Sequence, residues 1–171
     1  MGKNLEIKVK TPSHENLIEI LKSKNADYKG ILVQKDIYYK VSGGILKLRI
    51  ENGTYCLIKY NRDEKNPERW SNYNLLYLSG DDPVEYLTGL FEELVTVEKK
   101  RTLYIFNHTR IHLDDVKNLG LFLELETVAD GITDEEAKKE FGEIVKFLKL
   151  DFDNQIKKSY KDLLLGKITG S

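Results

Sequence analysis

The sequence predicts an α+β fold: an antiparallel sheet of eight strands, closed or nearly closed into a barrel, with helices packed outside. Three observations predict it. Apolar and polar residues alternate over many short segments, the period of a strand with one buried face. Most links between these segments are short and hairpin-like, and helix signatures are few and scattered. A twisted sheet of this width curls or closes rather than staying flat.

Taken in order, residues 3–10 set Leu5, Ile7 and Val9 on one face and Asn4, Glu6, Lys8 and Lys10 on the other. Thr11-Pro12-Ser13 opens a helix, with Ser13 as its expected N-cap and Leu17, Ile18 and Leu21 at helical spacing to about Asn25. A strand is expected from Val33 to Lys40. Ile45–Glu51 and Thr54–Asn61 flank Asn52-Gly53, a turn whose residues tolerate positive φ. Arg62 to Pro67 reads as a charged loop and Trp70–Leu78 as a weaker strand. Asp82 caps a helix with Pro83 in its first turn, expected to reach about Glu93. Val95–Asn107, Arg110–Val116 and Leu121–Val128 are strands. Thr133-Asp134-Glu135-Glu136 is a capping box that starts an amphipathic helix, and a short helix near Ser159–Leu165 ends the pattern.

Composition narrows the functional classes. The 171 residues suffice for one domain, read as 1–171, with its own core and no disulfides. Lys and Arg number 27 against 28 Asp and Glu, a formal net charge of -1, so no global basic field calls for nucleic acid. Lys99-Lys100-Arg101 is too small a patch to change that. One cysteine, Cys56, excludes a disulfide framework and a multi-cysteine zinc site, and it suits a reducing, cytoplasmic compartment. No apolar run approaches a membrane span, and no signal core opens the chain. The oligomeric state stays open.

The polar strand faces carry full charges where exposed strands usually carry Thr and Ser. Glu6 and Lys8 share a face, as do Lys47, Arg49 and Glu51, Lys99 and Arg101, Arg110, His112 and Asp114, and Glu124 and Glu126; Lys59 adds another cation. On one strand this is a solvated face. Repeated on six strands of a closing sheet, it becomes the lining of a lumen. Mixed charges in a confined lumen are costly unless a ligand satisfies them. Rows of Lys and Arg suit a polyanion, and carboxylates among them suit Mg²⁺ or Mn²⁺ bridging to phosphate.

These residues resemble the CYTH superfamily, the triphosphate tunnel metalloenzymes. Glu6-Ile7-Lys8 resembles the second half of its Glu-x-Glu-x-Lys signature. In family order follow Gln34-x-Asp36-x-Tyr38-Tyr39, Leu46-Lys47-Leu48-Arg49, Leu57-Ile58-Lys59-Tyr60 and Arg69 to Tyr73, the last like the cyclase branch. Val97-x-Lys99-x-Arg101, Leu113-Asp114-x-Val116-x-x-Leu119-Gly120, Phe122-x-Glu124-x-Glu126 and Ser159-Tyr160-x-Asp162-Leu163-Leu164 complete the set. The resemblance implies a tunnel that binds a small triphosphate compound with Mg²⁺ or Mn²⁺. It implies metal at Glu6, Glu124 and Glu126, with Asn4 as a further candidate. Phosphate oxygens would fall to Lys8, Lys47, Arg49, Lys59, Lys99 and Arg101. Glu6 and Asp114 are the catalytic candidates, Asp114 orienting an arginine or a metal-bound water.

Asn4 stands where the family has its first glutamate; an amide oxygen ligates without charge and cannot act as a base. Three functions are therefore carried forward. Metal-dependent hydrolysis of tripolyphosphate, thiamine triphosphate or a nucleoside triphosphate leads. An adenylyl cyclase releasing pyrophosphate is second, and a binding module without turnover, motivated by Asn4, is third. His112 is expected to be a hydrogen-bonded lumen or rim residue, His14 and His108 surface residues, and Cys56 a core residue.

Overall fold

A computed structural model describes residues 2–62 and 70–170. Eight strands, β1 (Gly2–Lys10), β2 (Asp27–Tyr39), β3 (Ile45–Glu51), β4 (Thr54–Arg62), β5 (Trp70–Leu78), β6 (Glu93–Phe106), β7 (Thr109–Val116) and β8 (Gly120–Val128), close into a barrel. The order around it is β1-β5-β4-β3-β2-β6-β7-β8, and every pairing is antiparallel. Strand β1 closes the circle, joined to β8 over residues 4–10 and to β5 over residues 2–5. The helices are α1 (Glu15–Ser23), α2 (Pro83–Thr88), α3 (Asp134–Phe147) and α4 (Tyr160–Thr169). None among the described residues is long and apolar enough to cross a membrane.

Period-2 alternation divides the barrel into two environments. Outward-facing Leu5, Ile7, Val9, Ile111, Leu113, Leu123 and Leu125 form the main core with Leu17 and Leu21 of α1 and Phe141, Ile144 and Val145 of α3. Each such side chain contributes about 1.5–3 kcal/mol when fully buried. A second outer cluster packs Leu87 of α2 on Ile37, Tyr39, Leu46 and Leu48. The capping box expected for α3 is formed: Thr133 accepts from the Glu136 amide, and Glu136 accepts from the Thr133 amide.

Four details depart from the expectations. Strand β2 begins at Asp27, six residues before Val33, because a bulge at Gly30 (φ 108) breaks the alternation without ending the pairing with β6. The N-cap of α1 is His14, which makes no side-chain cap; Ser13 Oγ accepts from the Glu15 amide instead. Helix α2 stops at Thr88, before Gly89. Helix α4 does not pack outside the barrel. Its Tyr160 and Leu164 pack against Tyr38, Val97, Val116 and Phe122, whose strand positions share the luminal face, so α4 plugs one end. The charged loop at Arg62–Pro67 lies mostly outside the described residues, as does Arg69.

Candidate active site in the barrel lumen

A cavity of about 400 Å³ fills the lumen, a size suited to a small molecule. Its walls differ in chemistry, and the strand order sets the difference. Strands β1 and β8 lie halfway round the circle from β2 and β3. The first pair carries Glu6, Glu124 and Glu126, with Lys8 beside them; the second pair carries Asp36, Lys47 and Arg49, with Lys99 and Arg101 next to them on β6. An acidic wall thus faces a cationic one. Between them, β4 and β5 contribute Ile58, Tyr60, Tyr73, Leu75 and Tyr77, a largely aromatic and apolar wall.

The cationic wall is organised by Asp36. This fully buried carboxylate accepts from Arg49 Nε and Nη2 at 2.8 Å each, from Lys47 Nζ at 2.8 Å and from Lys99 Nζ at 3.0 Å. Burial alone would raise its pKa, but the charges of Arg49, Lys47 and Lys99 hold it well below the ordinary carboxylate value. Three cations on one anion leave a local excess of positive charge. The lysines register that excess: burial, then repulsion from Arg49, pushes Lys47 down to about 7, and burial brings Lys99 down to about 8 against the attraction of Asp36.

Arg101 is held by a second buried acid. Its Nε and Nη2 donate to the two oxygens of Asp114 at 2.7 Å each, and Nη2 also donates to Glu124 Oε2 at 2.9 Å. Burial opposes ionisation of Asp114, but the Arg101 charge and its hydrogen bonds hold the carboxyl below its ordinary value. The phenol of Tyr160, from the plugging helix α4, donates to Asp114 Oδ2 at 2.7 Å. Lys8 Nζ lies 4.3 Å from the Tyr160 ring centre and donates to the Lys158 carbonyl at 3.3 Å.

On the acidic side, Glu6 lies across from Glu126 and Lys8 across from Glu124 in strand register. Donor atoms of His112, Glu124 and Glu126 lie within 4.8 Å of one another. Glu126 Oε2 pairs with Arg110 at 2.8 Å, while its Oε1 lies 4.0 Å from His112 Nδ1. His112 is 4 % exposed, and its Nδ1 has no hydrogen-bond partner. Burial first and the Arg101 charge second push the imidazole down to about 4, so it is neutral at pH 7. A neutral imidazole nitrogen left unpaired beside two carboxylates is a donor set that suits a divalent cation.

Placement of the expected site residues is uneven. Glu6, Lys8, Lys47, Arg49, Lys99, Arg101, Glu124 and Glu126 all line the cavity. Lys59 does not. It is exposed and pairs in register with Leu46, an outward-facing core residue, whereas Cys56, Ile58 and Tyr60 are the β4 residues that line the lumen. Parity therefore turns Lys59 to the outer face, away from the cavity. Asp114 is fully buried, with both oxygens engaged by Arg101, which is the arginine-orienting arrangement expected of it. Asn4 lines the cavity, but with its amide in the orientation that satisfies both atoms its oxygen accepts from Arg110 Nη2 at 3.2 Å and its nitrogen donates to the Lys3 carbonyl. Its oxygen thus faces a cation. Asp36, Arg110 and Tyr160 join the site in addition to the expected residues. Alternation alone places Asp36 on the luminal face, in register with Arg49.

Fold and lumen together define a closed antiparallel tunnel with opposed cationic and carboxylate walls. The CYTH domain family matches residues 2–160, and the chain belongs to that family. It is 28% identical over 169 residues to a Methanocaldococcus jannaschii protein named "Putative adenylate cyclase MJ0240", covering 93% of this chain and 97% of that protein. Among solved structures, a conserved hypothetical protein of Pyrococcus furiosus superposes with a TM-score of 0.81 at 24% identity, covering 94% of this chain and 99% of that one. A Hippeastrum adenylyl cyclase homologue, described as having a dominant triphosphatase activity, superposes with a TM-score of 0.67 at 12% identity over 100% of this chain and 97% of that one. At those identities the two superpositions establish the fold.

Proposed function

We propose that the lumen binds the triphosphate group of a small molecule together with Mg²⁺ or Mn²⁺ and hydrolyses its terminal phosphoanhydride bond. The observation that carries this reading is the facing of the two walls: the Asp36-centred cations on β2, β3 and β6 across from the carboxylates of β1 and β8. A chain of phosphates placed between them meets cations on one side and metal-binding oxygens on the other.

Asp36 holds Arg49 through Nε and Nη2, leaving its Nη1 and second Nη2 proton for phosphate oxygens, whereas Arg101, whose Nε and Nη2 protons go to Asp114 and Glu124, offers its Nη1. Lys8, Lys47 and Lys99 add point charges around them. Within the described lumen, the cations Lys8, Lys47, Arg49, Lys99, Arg101 and Arg110 are matched by Glu6, Asp36, Glu51, Asp114, Glu124 and Glu126. A strongly anionic substrate entering a lumen so balanced needs added positive charge. Glu124 and Glu126, with Glu6 adjacent, would hold the divalent ion, which supplies Lewis-acid neutralisation of phosphate charge. Glu6 is the carboxylate we assign to orient the attacking water and take its proton. The water oxygen bonds to the terminal phosphorus as the bridging P–O bond breaks, and the developing charge on the leaving oxygen is met by the cationic wall.

The second reading is adenylyl cyclisation. It draws on the wall of Ile58, Tyr60, Tyr73, Leu75 and Tyr77, which offers a purine an apolar face beside the phosphates. One assay separates the readings: tripolyphosphate, ATP and thiamine triphosphate are supplied with Mg²⁺ or Mn²⁺, and products are resolved. Orthophosphate supports hydrolysis, and cyclic AMP with pyrophosphate supports the cyclase. Tight binding without either product leaves a binding module.

A further inference from the structure

His112 sits on β7 in register with Glu124 of β8, one pairing step from Glu126 on the same luminal face. Both carboxylates are steadied by arginines, Glu124 Oε2 by Arg101 at 2.9 Å and Glu126 Oε2 by Arg110 at 2.8 Å. The remaining Glu126 oxygen is turned toward the imidazole, with 4.0 Å between Oε1 and Nδ1. That separation is too long for a hydrogen bond. It is the right separation for two donors on one ion, because ligands about 2.0–2.2 Å from a shared metal lie roughly 3–4.3 Å apart. Burial of an imidazole nitrogen with no partner is costly in a folded chain, and this one points into the carboxylate pair.

We propose that His112 Nδ1 is a direct ligand of the divalent ion, joining Glu124 and Glu126 in a mixed nitrogen and oxygen site that favours Mn²⁺ or Co²⁺ over Mg²⁺. The proposal rests on the metal half of the functional reading above. Mg²⁺ is a hard ion that takes oxygen donors, whereas affinity of a nitrogen-containing site rises along the first transition row. Three oxygens would leave the Mg²⁺ preference intact; one imidazole shifts it.

The test uses the full chain and the metal alone, so it needs no turnover. Pulsed electron paramagnetic resonance of the Mn²⁺-loaded protein reads directly whether a ¹⁴N nucleus is bound to the ion. Calorimetric titration with Co²⁺ and with Mg²⁺ is then compared between the native protein and His112→Asn, whose short amide places an oxygen near the position of Nδ1. We expect ¹⁴N coupling in the native protein and its loss in the variant. We also expect Co²⁺ affinity to fall by at least about tenfold, with Mg²⁺ affinity changed by less than about threefold. Mn²⁺ bound without nitrogen coupling overturns the proposal, as does a failure of all three ions to bind. An equal loss for Co²⁺ and Mg²⁺ does so too. Nitrogen coupling in a protein that releases no phosphate upholds the ligand while refuting hydrolysis.

Discussion

The hydroxyl of Tyr160 donates to Asp114 Oδ2 at 2.7 Å, tying the helix that plugs the barrel to the acid that holds Arg101. Burial, then the Asp114 charge, raises the phenol pKa well above its ordinary value, so the phenol keeps its proton and remains the donor. Tyr160→Phe removes one bond to a buried charged acceptor and little volume. We expect a stability loss of about 1.5–3 kcal/mol and a weaker grip of Arg101 on the substrate. Chemical denaturation and triphosphate titration of the same variant measure both.

Asp36 is the sharper case. Asp36→Asn leaves Lys47, Arg49 and Lys99 without their shared anion in a buried wall, a change of the kind that costs about 3–5 kcal/mol. A polyanion replaces the missing charge. The deficit in melting temperature against the native protein should therefore shrink when tripolyphosphate is added, and a deficit of the same size with and without it would show that the anion does not reach this wall.

The lysine pKa values set a pH dependence. Lys47 near 7 and Lys99 near 8 bind a proton less readily when folded than when unfolded. Between those values and the ordinary lysine range the unfolded chain binds more protons, so stability of the ligand-free protein rises with pH. The sign for ligand is opposite: a bound triphosphate favours protonated lysines, so affinity falls as pH climbs from 7 to 9. Melting temperature and Kd measured across that window should move in these directions, melting temperature up and affinity down.

Much of this arrangement was legible in the sequence, because period-2 alternation and hairpin turns report which residues share a strand face. Glu124 with Glu126 and Lys47 with Arg49 follow from that spacing alone. Lys59 shows the limit. Its strand alternates weakly, Tyr55, Leu57 and Ile58 being apolar on both faces, and only the pairing with Leu46 fixes the parity. The Tyr160–Asp114 bond joins residues 46 apart in sequence, and the plug position of α4 depends on apolar luminal residues at one barrel end, which no local pattern reveals.

Asn4 is expected to respond through its neighbour. A carboxylate at this position lies beside Arg110, which already holds Glu126. Asn4→Glu should therefore draw Arg110 toward residue 4, release Glu126 for metal, and lower the metal concentration needed for half-maximal binding. Titration with Mn²⁺ checks this, and unchanged metal affinity would show that Arg110 does not restrain Glu126.

The central claim, that the Asp36-centred wall receives the phosphates, is tested most directly by tripolyphosphate titration calorimetry at fixed Mn²⁺ on three proteins. Arg49→Ala should lose about 1.5–3 kcal/mol of binding free energy, roughly ten- to 150-fold in Kd, while outward-facing Lys59→Ala binds as the native protein does. Equal affinity in native and Arg49→Ala proteins would contradict the claim, because a guanidinium at the lumen wall that contributes nothing is not holding the anion.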